Sequence, residues 1–205
     1  MDKFLALPKE KQKAILDGAM QVFGSAPYKK ASVGDIAKAA GISKGMVFYY
    51  FGSKKELYLF LAQFASQRII DAYLAGPCSE NPDFFERVRQ TVEVKVQVLG
   101  EYPGMLRFLT SLFLERDPEV KNEVQRFLAD SEELRSRLAL PKIDASKFKS
   151  GISPELVMTL LARYTEGYLS HLGQGQPLDL EALLAEFNEC LALMKNNFYK
   201  EEYLK

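Results

Sequence analysis

The sequence predicts an all-helical fold in two parts: a small three-helix domain over residues 1–53 that contains a helix-turn-helix, and a larger helical domain over 54–205. Three observations carry this reading. The strong apolar periods have helical spacing, as in Ile15, Ala19, Val22 and Phe23, or in Phe84, Val88, Val92, Val96 and Leu99. Helix start signals recur: Ser32-x-x-Asp35 and Ser53-x-x-Glu56 read as capping boxes or close variants, and Asp117-Pro118-Glu119 and Ser153-Pro154-Glu155 each offer a cap followed by proline at the first helical position. The nine prolines all fall where helices begin or are separated.

Taken in order, these signals place helices near 9–24, 33–40, 44–50, 54–75, 83–100, 104–115, 118–139, 154–173 and 179–200. The stretch 140–152, LPKIDASKFKSG with its flanking residue, carries no period and is predicted to be a loop or a mobile connection. Helix 104–115 is apolar almost all round, which predicts a central position.

Composition narrows the function classes. At 205 residues, 47% apolar and 26% charged, the chain has ordinary globular usage. No apolar run approaches the ~18–20 residues that span a bilayer, and MDKFLALPKEKQK has no continuous apolar stretch of the kind a secretory signal needs. Cys78 and Cys190 lie far apart without a CxxC pairing, which predicts a reducing, cytoplasmic setting. A single histidine, His171, excludes a His-rich metal site and any mechanism needing two histidines. The sequence shows no nucleophile elbow, phosphate loop or metal-ligand spacing, so no catalytic residues, metal or cofactor are expected.

The formal net charge of zero conceals an asymmetry. Residues 1–55 hold ten Lys against four Asp and Glu, a balance of +6; residues 56–205 hold 17 Lys and Arg against 23 Asp and Glu, a balance of −6. A basic head on an acidic body suits a polyanion-binding module joined to a non-binding domain, although small lysine-rich domains also arise for solubility alone.

The most informative segment is Ser32–Leu57, SVGDIAKAAGISKGMVFYYFGSKKEL. Val33, Ile36, Ala37 and Ala40 form one face of a short capped helix, Gly41 suits the left-handed position that ends it, and Ser43 caps the next helix. Two short helices joined by a glycine turn make a helix-turn-helix, whose second helix enters the major groove by its N-terminal end. With Val47 and Phe51 pointing inward, Lys44, Gly45 and Phe48 face out. An outward phenylalanine beside a lysine and a glycine suits a face that meets thymine methyls or sugar carbons.

Over Gln12–Leu59 the chain resembles the TetR family. The resemblance is carried by Phe23, the string IAKAAGISKG, the aromatic run Phe48-Tyr49-Tyr50-Phe51, and Lys54 just before Leu57. It implies Ser43, Lys44, Gly45 and Tyr49 at or near double-stranded DNA, with Lys54 meeting a phosphate at the start of the fourth helix. Ser32 is read as a cap that can also serve the interface. Two positions depart from the family's habit of tyrosine first and often histidine third in the aromatic run. Phe48 cannot donate to a phosphate, so its expected DNA contact is apolar, and Tyr50, the larger, uncharged residue at the third place, is expected at the DNA with it.

In the larger domain the resemblance fades, and what it implies is a helical body with an internal effector cavity and a dimer made by the last two helices. The residues Leu180, Leu184, Phe187, Leu191, Met194 and Phe198 independently show the 4,3,4,3,4 spacing of a heptad seam, which serves either a homodimer or packing within one subunit. Tyr102, Leu109, Phe113, Phe127, Tyr164 and Tyr168 are candidates for the wall of a pocket for a small apolar or aromatic effector, or equally for plain core. The expected function is a DNA-binding transcriptional regulator, a repressor that reads a palindromic operator as a dimer. The alternative is an effector-independent DNA-binding protein acting in chromosome organisation or through a protein partner.

Overall fold

Most of the helices among the described residues lie where the apolar periodicity predicts them. The structure, a computed structural model, describes residues 2–172 and 180–204, and of 169–172 it describes the backbone only. The side chain of His171 therefore lies outside the described residues. Among the described residues there are ten α-helices: α1 Asp2–Leu5, α2 Lys9–Ser25, α3 Val33–Ala39, α4 Lys44–Phe51, α5 Lys54–Ala75, α6 Phe84–Glu101, α7 Met105–Leu114, α8 Lys121–Ala139, α9 Pro154–Leu172 and α10 Leu180–Phe198. None is long and apolar enough to cross a membrane. Two compact units emerge, Met1–Ile70 with Gln97–Ser131 and Asp71–Val96 with Glu132–Lys205.

The first unit is built around α2. Ile15, Leu16, Ala19, Met20 and Phe23 are all at most 2% exposed, the stripe expected of a helix at the centre of its unit. Two glycines let other backbones reach it. A methyl group at Gly18 would lie 2.6 Å from the Ala39 carbonyl carbon and 2.7 Å from the Ala40 nitrogen, so α3 packs backbone against backbone here. A methyl at Gly24 would lie 2.7 Å from the Phe108 nitrogen, which seats α7 equally closely. On α7, Met105, Phe108 and Leu112 point into this core, and Phe108 meets Tyr58 edge-on at 5.4 Å.

The second unit gathers Phe84, Phe85, Phe148, Val157, Leu161, Phe187, Leu191 and Tyr199 into one apolar cluster. Arg87 is 1% exposed beside it. Its guanidinium donates to three carbonyls, Asn81 at 2.7 Å, Ala139 at 2.9 Å and Pro141 at 2.6 Å, and so ties the ends of three segments together.

Three elements differ from expectation. Helix α1 carries no periodicity and was not foreseen. Helix α8 begins at Lys121 rather than 118, because the Asp117 carbonyl accepts from both Val120 at 3.1 Å and Lys121 at 2.8 Å and makes residues 118–120 a turn. The stretch 140–152 is pinned: Phe148 is 4% exposed, Asp144 donates to the Pro82 carbonyl at 2.9 Å, Lys149 to Phe198 at 2.8 Å, and Lys147 pairs with Asp83 at 2.8 Å. These tertiary partners are remote in sequence, 64 residues in the case of Lys147 and Asp83, beyond the reach of any local pattern.

On α6, Lys95 interrupts the apolar stripe that holds Val88 and Val92 against the second unit's cluster. Burial, with repulsion from Arg135 added, pushes its ammonium down to about 8. Between about pH 8 and the unfolded value near 10.5, the unfolded chain holds more protons than the folded one, so stability rises with pH across that window. Below it, the charged amine burdens the fold. Lys95→Met is expected to raise stability by about 1–3 kcal/mol at pH 7 and to flatten the rise between pH 8 and 10, as read by urea unfolding at both ends.

Candidate nucleic-acid interface

The helix-turn-helix is set by local chemistry. Gly41 adopts φ +65°, the left-handed conformation expected after α3. The Ile42 amide donates to the Ala37 carbonyl at 2.9 Å and the Gly41 amide to Lys38 at 3.2 Å, the paired bonds of a Schellman end. Ser43 then caps α4 by accepting from the Met46 amide at 3.2 Å, as Ser32 caps α3 from Asp35 at 3.0 Å and Ser53 caps α5 from Glu56 at 3.0 Å.

Capping fixes which way α4 faces. Val47 and Phe51 turn inward at 1% and 4% exposure, while Phe48 and Tyr49 stand 48% and 54% exposed. Ser43, Lys44 and Gly45 are exposed with them. A methyl at Gly45 would meet nothing nearer than the Ser43 hydroxyl at 3.8 Å, so a second molecule's backbone has room to approach here. The Lys44 side chain lies across α3: its Cε and Nζ stand 2.7 and 3.1 Å from where a methyl at Gly34 would be, and the Ser32 hydroxyl stands 3.5 Å from that same point. Ser32, Lys44 and, unforeseen, Gly34 thus form one patch.

Tyr50 does not join them. It is 4% exposed and packs against Phe4 at 6.2 Å and Phe51 at 6.3 Å. Lys54 is only partly exposed. Its ammonium donates to the Tyr28 carbonyl at 3.0 Å and the Ala31 carbonyl at 3.3 Å, and sits 4.0 Å over the Tyr28 ring. Two of its three N–H donors therefore fasten the loop before α3.

Tyr28 itself escaped sequence reasoning, as did its acidic partners. Its amide donates to Glu115 at 2.8 Å and its hydroxyl to Glu119 at 2.7 Å. Burial and then the Glu119 carboxylate push the Tyr28 hydroxyl above its usual range, so it remains a neutral donor. Glu115, 6% exposed, also accepts from Arg116 at 2.8 Å and Asp117 at 2.7 Å, and Lys55 pairs with Glu123 at 2.7 Å. These partners span up to 91 residues of sequence, so no short motif announces them.

The remaining expected sites divide between the units. Tyr102 is 9% exposed with its ring edge-on to Phe64 at 5.4 Å, and Leu109, Phe113 and Phe127 are half-buried on α7 and α8. Tyr164 and Tyr168 belong to the second unit, where Tyr164 donates to Glu186 at 2.7 Å. Of the heptad seam, Leu180 and Leu184 are half-buried. Phe187 and Leu191, expected between subunits, pack instead into their own unit's cluster, with Met194 against it. A heptad spacing reports burial, not whose surface does the burying. Among the described residues of α9 and α10, Leu156, Leu160 and Leu193 are exposed large apolar residues, at 52%, 44% and 65%. Among the described residues no three His, Cys, Asp or Glu side chains are grouped so as to hold a metal ion.

This arrangement has relatives. The family described as bacterial regulatory proteins, tetR family, matches residues 15–60. The transcriptional regulator RutR of Escherichia coli is 26% identical over 160 residues, 77% of this chain and 73% of that protein. The transcriptional repressor AcnR of Corynebacterium glutamicum is 28% identical over 170 residues, 82% and 85% of the two chains. The crystal structure of the regulator FadR from Bacillus subtilis, in complex with stearoyl-CoA, superposes with a TM-score of 0.65 at 19% identity, covering 87% of this chain and 96% of that one.

Glu115→Ala should cost about 1–3 kcal/mol of stability, because it strips the acceptor from the buried Tyr28 amide. Thermal unfolding measures the loss. Hydrogen exchange at the Tyr28 amide should accelerate in step with it, and Glu115→Gln, which keeps one oxygen, should lose less.

Proposed function

Because this chain belongs to the tetR family of bacterial regulatory proteins and regulates transcription through DNA, we propose that it is a dimeric repressor that reads a palindromic operator with α4 and leaves it when a small apolar effector binds. The observation that carries this reading is the outward face of α4. Two aromatic rings about half exposed, beside a lysine and an unobstructed glycine on an eight-residue helix, suit a surface that is covered by something else. In the major groove Phe48 meets thymine methyls, Lys44 reaches base edges or phosphate, and Gly45 lets the backbone come close. The Tyr49 hydroxyl, with Ser32 and Ser43 at the helix starts, and the remaining donor of Lys54 serve phosphates. The head comprising residues 1–53 is the reading module in this scheme, and Tyr50 supports it from within.

One short helix holds DNA weakly, and two half-sites read together overcome this. Leu156 and Leu160 on α9 and Leu193 on α10, with exposed Ala185 and Ala192 giving room for close approach, are the proposed dimer contacts. Each leucine is about half buried already, so removing the rest of it from water contributes about 1 kcal/mol. The proposed effector lies against Leu109, Phe113 and Phe127. That the similarly folded FadR was solved with stearoyl-CoA supports an apolar ligand class. A tenfold change in operator affinity needs only about 1.4 kcal/mol of coupling, less than burying one aromatic ring provides.

Selection of duplexes from a random pool should return a pseudo-palindrome with half-sites about one helical turn, or a multiple, apart. Lys44→Ala and Phe48→Ala should change which bases are preferred; uniform weakening would argue against base readout, and failure to bind any duplex would end the proposal. Operator binding indifferent to stearoyl-CoA and to a panel of small apolar compounds would favour the effector-independent reading.

For the dimer, Leu160→Glu combined with Leu193→Glu should give folded monomers in sedimentation at micromolar concentration, with much weaker operator binding. A persistent dimer would place the interface elsewhere.

A further inference from the structure

Helix α1 is a single turn, and a four-residue helix has no stability of its own. Here it is fastened twice. Phe4, 1% exposed, inserts between Phe51 at 4.9 Å, Phe60 at 5.9 Å and Tyr50 at 6.2 Å. Gln12 of α2, 7% exposed, turns its side-chain amide back and donates to the Leu5 carbonyl at 3.0 Å and the Leu7 carbonyl at 2.8 Å, taking up acceptors that the end of the turn leaves free. A buried aromatic anchor and a buried amide clasp together hold four residues against the inner side of α4.

Fastening fixes one charged group. The Lys3 ammonium stands 4.0 Å over the ring of Tyr49, the residue that is 54% exposed on the outward face. Its own side chain is exposed, and it makes no ion pair among the described residues. An ammonium over a ring face turns part of its N–H donors to the ring and leaves the rest for whatever meets Tyr49 from outside. An ammonium and a phenol hydroxyl in register are the pair a phosphate oxygen takes, one by charge and one by hydrogen bond.

We infer that α1 is part of the DNA-contacting surface, with Lys3, held over Tyr49 by the Phe4 anchor and the Gln12 clasp, as an additional phosphate ligand. This rests on the reading of α4 as the DNA-facing helix. Lys3 contributes affinity without sequence preference, and Gln12 is a positioning residue that acts only through it.

The test uses the full chain and a fluorescent duplex of mixed sequence, about four helical turns long, with anisotropy followed from low to moderate potassium chloride. The wild-type protein should bind with affinity that falls as salt rises. Lys3→Gln should lower affinity several-fold at low salt and reduce the log–log salt slope by about 0.9 for each phosphate it no longer neutralises, with the melting temperature unchanged because Lys3 is exposed. Lys3→Arg should restore both affinity and slope. Gln12→Ala, checked for folding by circular dichroism, should reproduce part of the loss with Lys3 still present. A wild-type protein that binds no duplex overturns the DNA reading of α4 and this inference with it. A wild-type protein that binds while Lys3→Gln keeps its affinity and slope overturns this inference alone, as does a Lys3→Gln variant that changes base preference at constant slope.

Discussion

Two helix backbones touch only where no side chain stands between them, and the reading surface depends on one such place. At Gly18 a single methyl group would fall 2.6 Å from the backbone of α3, far inside any tolerable approach. Because α2 accepts α3 at this depth, Ile36, Ala37 and Ala40 enter the core at 1–5% exposure, and the glycine turn after them sets where α4 starts. Overpacking so close an approach forces neighbours off their positions rather than merely straining a side chain. The outward placement of Lys44, Phe48 and Tyr49 is thus a consequence of an absent side chain on α2, at Gly18.

A second layer of constraint is polar. The loop between α2 and α3 offers backbone groups that no helix satisfies, and the first unit meets them with ions drawn from far along the chain. Glu115 takes the Tyr28 amide and Lys54 takes the Tyr28 and Ala31 carbonyls, so one loop is held by an acid on its donor and a base on its acceptors. Buried polar groups left unmatched are costly, whereas charge-assisted bonds to them are among the stronger ones available. Lys54, read from its motif as a phosphate ligand, is therefore first a structural residue, and only its remaining donor is open to DNA.

What was legible in the sequence follows from the range of each signal. Caps, the Gly41 turn and the inward pair Val47 and Phe51 are written within a few residues of where they act, and the two helices of the helix-turn-helix lie within one residue of their expected bounds. Apolar period located α10, but Phe187 and Leu191 sit in their own unit's cluster because the same spacing serves any apolar partner. Tyr50 matched the aromatic run yet faces inward, since residues one apart on a helix point about a hundred degrees apart. Helix α1 is too short to show a period, and Tyr28, Glu115 and Glu119 meet across 87 and 91 residues. The stretch 140–152 read as a loop because its anchors, Asp83, Phe198 and Tyr199, also lie beyond the range of a local pattern.

The distribution of charge ties these layers to DNA. The lysines of residues 1–55 outnumber the acids by six, yet the head does not carry them as one uniform cloud. Lys54 and Lys55 are turned to the unit's own carbonyls and to Glu123, while Lys3 and Lys44 stand beside Tyr49 and over Gly34, next to the rings that face out. Lys55 is balanced by Glu123 and Lys54 is taken up by two carbonyls, whereas no ion pair holds Lys3 or Lys44 among the described residues. In the proposed mode of binding, the long-range attraction of Lys3 and Lys44 acts on the same face as the short-range contacts of α4. Had Lys54 and Lys55 been left free as well, attraction would have been stronger, but the loop before α3 would have lost the bonds that keep the helix-turn-helix in place.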